Sequence, residues 1–234
     1  MIGRLLVGGS LALSSLLIAG CSHAPGARVA DEQVMRPGAV TNFDTLFAQN
    51  CSGCHGAQGK NGPAINLSNP VYQALVDDDT LRMIISTGYE PTLMPAFARS
   101  DGGMLTDQQI DAIIKGMRKE WRKPGILDGQ NAPPYSATLT GDAQRGQQVF
   151  GTFCASCHGP NGKAGSVTDG SYLALVSDDA LRTLVIAGRP DLNAPDWRNN
   201  VPGHPMTDQE VTDVVAWLSS QRVKTPGQPY SQPQ

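Results

Sequence analysis

Cys51-Ser52-Gly53-Cys54-His55 and Cys154-Ala155-Ser156-Cys157-His158 write the same pattern, Cys-x-x-Cys-His, twice in 234 residues. Two thiols at that spacing suit thioether bonds to the two vinyl groups of one porphyrin, and the histidine that follows suits an axial place on the iron. The pattern implies two covalently attached haem c groups, one on Cys51 and Cys54 and one on Cys154 and Cys157. His55 and His158 would ligate the two irons. A redox disulfide or half of a zinc site would use the same Cys-x-x-Cys. The His after the second Cys in both copies, inside a longer shared pattern, favours haem. Two haems in so short a chain point to electron transfer.

The chain has five cysteines, and four stand in these motifs. The fifth, Cys21, ends a stretch with one early charge (Arg4), an apolar run from Leu5 to Ile18, and Ala19-Gly20 just before the cysteine. Those features describe a signal peptide over residues 1–20, too short for a transmembrane span. Small residues before a cysteine resemble the lipobox of bacterial lipoproteins, which makes Cys21 the expected lipidation site and membrane anchor. Ser22 resembles the outer-membrane sorting pattern. An ordinary exported protein with a spare thiol is the alternative. Export to the periplasmic face agrees with haem attachment, which is completed outside the bacterial cytoplasm.

The formal net charge of −3 comes without a basic stripe, so nucleic acid is not an expected partner. Residues 21–40 are rich in Ala, Gly, Pro and charge and lack periodicity, as expected of a flexible tether. Two related halves follow, residues 41–123 and 140–224. Cys154 repeats Cys51 at an offset of 103 (154 − 51). Tyr172-Leu173-Ala174-Leu175-Val176 repeats Tyr72-Gln73-Ala74-Leu75-Val76 at 100 (172 − 72), and Thr207-Asp208-Gln209-Glu210 repeats Thr106-Asp107-Gln108-Gln109 at 101 (207 − 106). Such drift describes a duplicated small domain with short loop indels. Residues 124–139, with Pro124, Gly125, Pro133 and Pro134, read as the linker. Residues 225–234 read as a disordered tail.

Periodicity within each half is helical, and no alternating strand pattern stands out. Phe43, Leu46 and Phe47 precede the first motif at helical spacing, and Gly146, Val149 and Phe150 precede the second. A middle helix follows Asp77 or Ser177 as N-cap, with an apolar face of Leu81, Ile84 and Ile85 or Leu181, Leu184 and Val185, and stops at Gly88 or Gly188. A last helix follows Thr106 or Thr207, the latter with Glu210 in a capping box. Its apolar face is Ile110, Ile113, Ile114 and Met117, or Val211, Val214, Val215 and Leu218. The expected fold is all-α, with two tandem helical domains whose thin cores need a porphyrin at the centre.

This pattern resembles class I cytochrome c over essentially both halves. The resemblance implies that the helix before each Cys-x-x-Cys-His crosses the last helix through a glycine or aromatic contact. Gly146, Phe150 and Trp217 fit in the second half; Phe43 and Gly116 fit in the first, as if bulk had moved between partners. It also implies that a proline shortly after the motif offers its carbonyl to the proximal histidine. Pro63 fits, but Lys163-Ala164-Gly165 has no proline, so a different orientation of His158 is expected.

The resemblance further implies a Met sulfur as sixth ligand, from the loop before the last helix. Met94, followed by Pro95, matches that position; Met83 and Met104 read as packing residues. In the second half Ala194 falls where Met94 stands, and alanine cannot ligate iron. Three outcomes follow: an open second iron, His204 as ligand, or Met206 as ligand. For His204 the plain alternative is a surface histidine, and for Met206 a hydrophobic staple to Val211. Met/His ligation favours reduced iron, so the first haem is expected to be the higher-potential site.

The leading functional expectation is a membrane-tethered di-haem electron carrier or the electron-transfer subunit of a respiratory complex. A quinol–cytochrome c reductase or a dehydrogenase would be its donor, and an oxidase or another cytochrome its acceptor. Its side chains supply no evident acid, base or nucleophile set, so it is expected not to be an enzyme. The Asp77-Asp78-Asp79 run reads as a helix start. The alternative is a peroxidase-like enzyme or small-ligand binder using an open second haem. A ligand sensor is a third reading, without an output domain after the second motif.

Overall fold

The computed structural model describes residues 35–89 and 92–227. The expected signal peptide, Cys21 and most of the expected tether over residues 21–40 lie outside them, as do residues 228–234 of the expected tail. Gly38–Gln234 forms one compact unit, so both repeated halves belong to a single body.

The first half contains α1 (Phe43–Asn50), α2 (Ser52–His55), α3 (Pro70–Leu75), α4 (Asp78–Thr87) and α5 (Asp107–Trp121). The second repeats the order as α6 (Ala143–Phe153), α7 (Ala155–His158), α8 (Gly170–Leu173), α9 (Asp178–Ala187) and α10 (Asp208–Ser220). Among the described residues there are isolated bridges but no strand. The fold is all-α, two tandem domains of one design. Two short elements per half go beyond the expected three. The haem motifs are themselves helical turns, and the repeated Tyr-x-Ala-Leu-Val segments carry α3 and α8.

The boundaries follow local chemistry. Asp77 and Ser177 accept from the amides of Thr80 and Ala180, and Gly88 and Gly188 end α4 and α9 at φ 73° and 65°. Both last helices carry full capping boxes, Thr106 with Gln109 and Thr207 with Glu210. Each box satisfies two amides that an exposed helix start leaves unpaired.

The core forms where the last helix crosses the first. Ile110, Ile113, Ile114 and Met117 are buried on α5, and Val211, Val214, Val215 and Leu218 on α10. A Cβ on Gly116 would stand 2.1 Å from Phe43 Cγ, so the glycine on α5 makes room for the aromatic on α1. On the other side, a Cβ on Gly146 would stand 2.0 Å from the Asp213 carbonyl oxygen, so α6 meets the backbone of α10 directly. Bulk has indeed changed sides between the repeats. Phe43 and Phe47 stack edge-on to Trp121, with centroids 5.5 and 5.1 Å away, whereas Phe150 tilts over Trp217 at 4.6 Å.

Some side chains depart from the expected faces. Leu184 and Val185 are only half-buried, while Arg182, Thr183 and Ile186 are buried. Arg182 rotates the inward face because it donates to Pro134 O, at 2.8 Å, and Thr212 Oγ1, at 2.9 Å, and pairs with Asp208. The linker is thereby held against α9 and α10. Met83 and Met104 are 54% and 78% exposed, so neither is a packing residue.

Candidate functional site

Each Cys-x-x-Cys-His begins where a longer helix ends. Cys51 closes α1 and opens α2, and Cys154 does the same between α6 and α7. Amides of Cys54 and His55 both donate to the Cys51 carbonyl, at 3.2 and 3.0 Å; those of Cys157 and His158 donate to Cys154, at 3.1 and 2.8 Å. One helical turn therefore sets the two sulfurs and the imidazole at i, i+3 and i+4, on one side of the turn.

The chain then folds back beneath the histidine. The Ala64 amide donates to Cys54 O and the Ala164 amide to Cys157 O, each at 3.0 Å. Gly62 and Gly162 allow this return, since a Cβ there would lie 2.3 Å from Cys54 O and 2.0 Å from Cys157 O. The residue after each alanine supplies the acceptor for the ring. His55 Nδ1 lies 2.8 Å from the Ile65 carbonyl, and His158 Nδ1 lies 2.9 Å from that of Gly165. A carbonyl only accepts, so Nδ1 holds the proton and Nε2 keeps the lone pair that a metal needs.

This corrects the expectation built on Pro63. The acceptor is Ile65, and its repeat is Gly165, so the missing proline leaves His158 anchored in the same way as His55. The signal was present as Gly62-Pro63-Ala64-Ile65 against Gly162-Lys163-Ala164-Gly165. What repeats is the glycine and alanine, not the proline.

These features fit a porphyrin better than the alternatives. Among the described residues no group of three or more His, Cys, Asp or Glu converges, so a zinc ion would lack its third and fourth ligands. Redox Cys-x-x-Cys pairs depend on a lowered thiol pKa. Burial, reinforced by the neighbouring Cys54, pushes Cys51 up to about 12. Burial with Cys157 pushes Cys154 up to about 11. Burial lowers His55 below the usual histidine value; the Ile65 carbonyl opposes that and the Arg189 charge adds to it. A neutral imidazole is the ligating form.

The loops before the last helices are built alike. Tyr89 and Met94 form an antiparallel bridge, and Arg189 and Ala194 form its counterpart. Phe97 N donates to Ile85 O at 3.1 Å, and Trp197 N to Ile186 O at 3.1 Å. Met94 is half-buried against the core, and Ala194 occupies its place in the second loop. Met206 corresponds to Leu105: their amides donate to Trp197 O at 2.9 Å and Phe97 O at 2.8 Å. The Met206 side chain is 1% exposed, packs in the core with Val211, and its sulfur lies 3.7 Å from Asn200 Nδ2. His204 is exposed, stands edge-on to Phe153 with centroids 5.1 Å apart, and places Nε2 3.3 Å from Glu210 Oε1.

Sequence reasoning missed a set of arginines. Arg118 at the end of α5 donates to the carbonyls of Gln73 and Val76, each at 2.6 Å, and to Asp78 at 2.7 Å. Arg222 after α10 repeats this on Leu173 at 3.0 Å, Val176 at 2.6 Å and Asp178 at 2.7 Å. Their offset of 104 (222 − 118) lies outside the drift of the other repeats, which hid the pair.

Comparison with known proteins agrees with the geometry. Residues 38–115 match the family described as cytochrome c oxidase, cbb3-type, subunit III, and residues 143–222 match the cytochrome c family. The cytochrome bc1 complex cytochrome c subunit of Mycobacterium tuberculosis is 28% identical over 92% of this chain and 76% of its own length. The cbb3-type cytochrome c oxidase subunit FixPc of Rhizobium leguminosarum is 26% identical over 67% of this chain and 54% of its own length. Subunit CcoP of Rhodobacter capsulatus is 26% identical over 75% of this chain and 60% of its own. The chain is a c-type cytochrome of two cytochrome c domains in tandem, each carrying the attachment turn for one covalent haem c.

Proposed function

We propose that this di-haem cytochrome passes single electrons between membrane-bound respiratory partners, either as a tethered carrier or as the cytochrome c subunit of a complex. The observation that carries the reading is the repeated turn: two Cys-x-x-Cys-His segments in one compact body, each with its histidine Nδ1 held by a backbone carbonyl. A haem bound at such a turn supplies a one-electron iron couple. Relatives named as subunits of bc1 and cbb3 complexes support a quinol–cytochrome c reductase or dehydrogenase as donor and an oxidase or cytochrome as acceptor. Lipid on Cys21 would hold the protein at the periplasmic face of a bacterial membrane, with Ser22 directing it to the outer one. No helix among the described residues is long and apolar enough to cross a membrane.

In this reading Met94, presented by the bridge to Tyr89, would ligate the iron of the first haem. The second haem differs because Ala194 stands in that place. Ala194 favours a second reading, in which the second loop would offer the haem iron no side-chain ligand and the protein would bind or reduce a small molecule there. His204 and Met206 are the competing occupants. The Nε2 of His204 is engaged by Glu210, and the sulfur of Met206 is buried beside Asn200. Mixing reduced protein with carbon monoxide, cyanide and peroxide separates the readings. A carrier with two closed irons binds none of them, carbon monoxide binding without peroxide turnover indicates an open noncatalytic iron, and turnover with peroxide contradicts the carrier reading.

A further inference from the structure

Arg189 follows the glycine cap of α9 and exchanges backbone hydrogen bonds with Ala194, at 3.0 and 2.9 Å. Its guanidinium belongs to the other domain. Nη1 donates to the Ala64 carbonyl at 3.0 Å and Nη2 to the Gly62 carbonyl at 2.9 Å. The same fork holds Asp191, with Nε at 3.0 Å and Nη2 at 2.8 Å. Asp191 in turn accepts from the Asn61 amide at 2.9 Å. The Arg189 and Asp191 side chains are 13% and 3% exposed, so the pair is inside the contact between domains. Asn69 pins the same contact through a 2.8 Å bond to its own helix start and a 2.7 Å bond to the Ala187 carbonyl.

The segment gripped here, residues 61–64, leads directly into Ile65, whose carbonyl orients His55. The bonds that the first domain returns fall on α9 and its cap. Tyr89, which fills the place of Arg189 in the repeat, donates instead to Asp179 at the start of α9. Among the described residues the grip on a return loop is one-sided: the loop bearing Ala194 in the second domain holds residues 61–64 of the first.

We propose that Arg189 and Asp191 are positioning residues for His55, holding residues 61–65 across the domain boundary, and that their charges set the potential of the first haem alone. This rests on the reading of Cys51–His55 as a haem turn. A planar fork can satisfy two carbonyls and a carboxylate together, which a lysine ammonium cannot do. The pair also fixes opposite charges beside the His55 loop. Removing the cation disfavours the electron on the iron, and removing the anion favours it.

The test uses the full chain with both haems attached and the variants Arg189→Gln, Asp191→Asn and Arg189→Lys. Redox titration is read for each haem, the steps being assigned with chains that keep only one pair of haem cysteines. Amide hydrogen exchange is read over residues 61–65. Arg189→Gln should weaken reduction of the first haem about tenfold, near 59 mV for one electron, and Asp191→Asn should strengthen it. Arg189→Lys should leave that potential close to the parent while exchange at residues 61–65 quickens, as it does in the other two. The second haem should keep its potential throughout. Equal shifts in both haems, or an unmoved first haem in the Gln and Asn variants, overturns the proposal. A parent chain without the first haem overturns the haem reading as well, whereas two intact haems with unmoved potentials overturn this inference only.

Discussion

Single atoms decide what each half can do. His55 and His158 present the same nitrogen because Ile65 and Gly165 present the same carbonyl, yet Met94 and Ala194 present a sulfur and a methyl from equivalent bridges. Met94→Ala is expected to abolish the far-red methionine–iron charge-transfer band of the ferric protein and to lower the first haem's potential. An absorbance spectrum of the oxidised variant checks this, and survival of the band would move the methionine ligand to the second haem. Legibility at this scale was uneven. The sulfurs and imidazoles were plain, because their identities are their chemistry. The acceptor carbonyls were not, because any residue type supplies a carbonyl and only the Gly-x-Ala return betrays the register. Met83 and Met104 misled for a related reason: a place on the middle helix or beside a helix cap does not bury a side chain, and a small domain lacks enough interior to cover every apolar one.

Helices carry the fold, and their crossings set its tolerance. At Gly146 a new methyl would meet the backbone of α10, which cannot give without moving the helix, whereas at Gly116 it would meet the Phe43 ring. Gly146→Ala should therefore destabilise the protein by about 3 kcal/mol, the upper end of overpacking. Gly116→Ala should cost about 1–2 kcal/mol, since the ring can shift and alanine favours the helix. Urea titration of the haem-loaded chain measures both, and the reverse order would contradict this view of the two crossings. Thr207→Ala should remove about 1 kcal/mol by opening one capping box. Caps, glycine stops and the 3.6-residue stripes of α5 and α10 were readable because each has a local cause. The face of α9 was not, because Arg182 buries its guanidinium against Pro134, Thr212 and Asp208, and those partners are distant in sequence.

At the scale of the molecule, duplication explains the domains but not how they are joined. Repeat offsets showed two copies, and nothing in them showed that Arg189, Asp191 and Asn69 would bind one copy to the other. The joint has a predictable response to acid. The Arg189 guanidinium outweighs the effect of burial, and with the Asn61 amide and Asn66 it holds Asp191 well below the usual carboxylate range. A carboxylate whose folded pKa is depressed contributes its stability above the unfolded value, about 3.9, and loses it as pH falls through the folded value. Protection of the amides over residues 61–65, with exchange corrected for its intrinsic dependence on pH, should thus stay constant from neutral pH down to about pH 4 and fall only below that. A loss of protection already near pH 6 would assign the joint to a different group.

The asymmetry of the two haem domains is tested most directly by an equilibrium redox titration of the whole chain, followed in the visible and far red. Two one-electron steps of unequal potential are predicted, with the far-red methionine band tracking only the higher one. A single step from one haem, or a band shared by both steps, would contradict two covalent haem sites that differ at Met94 and Ala194.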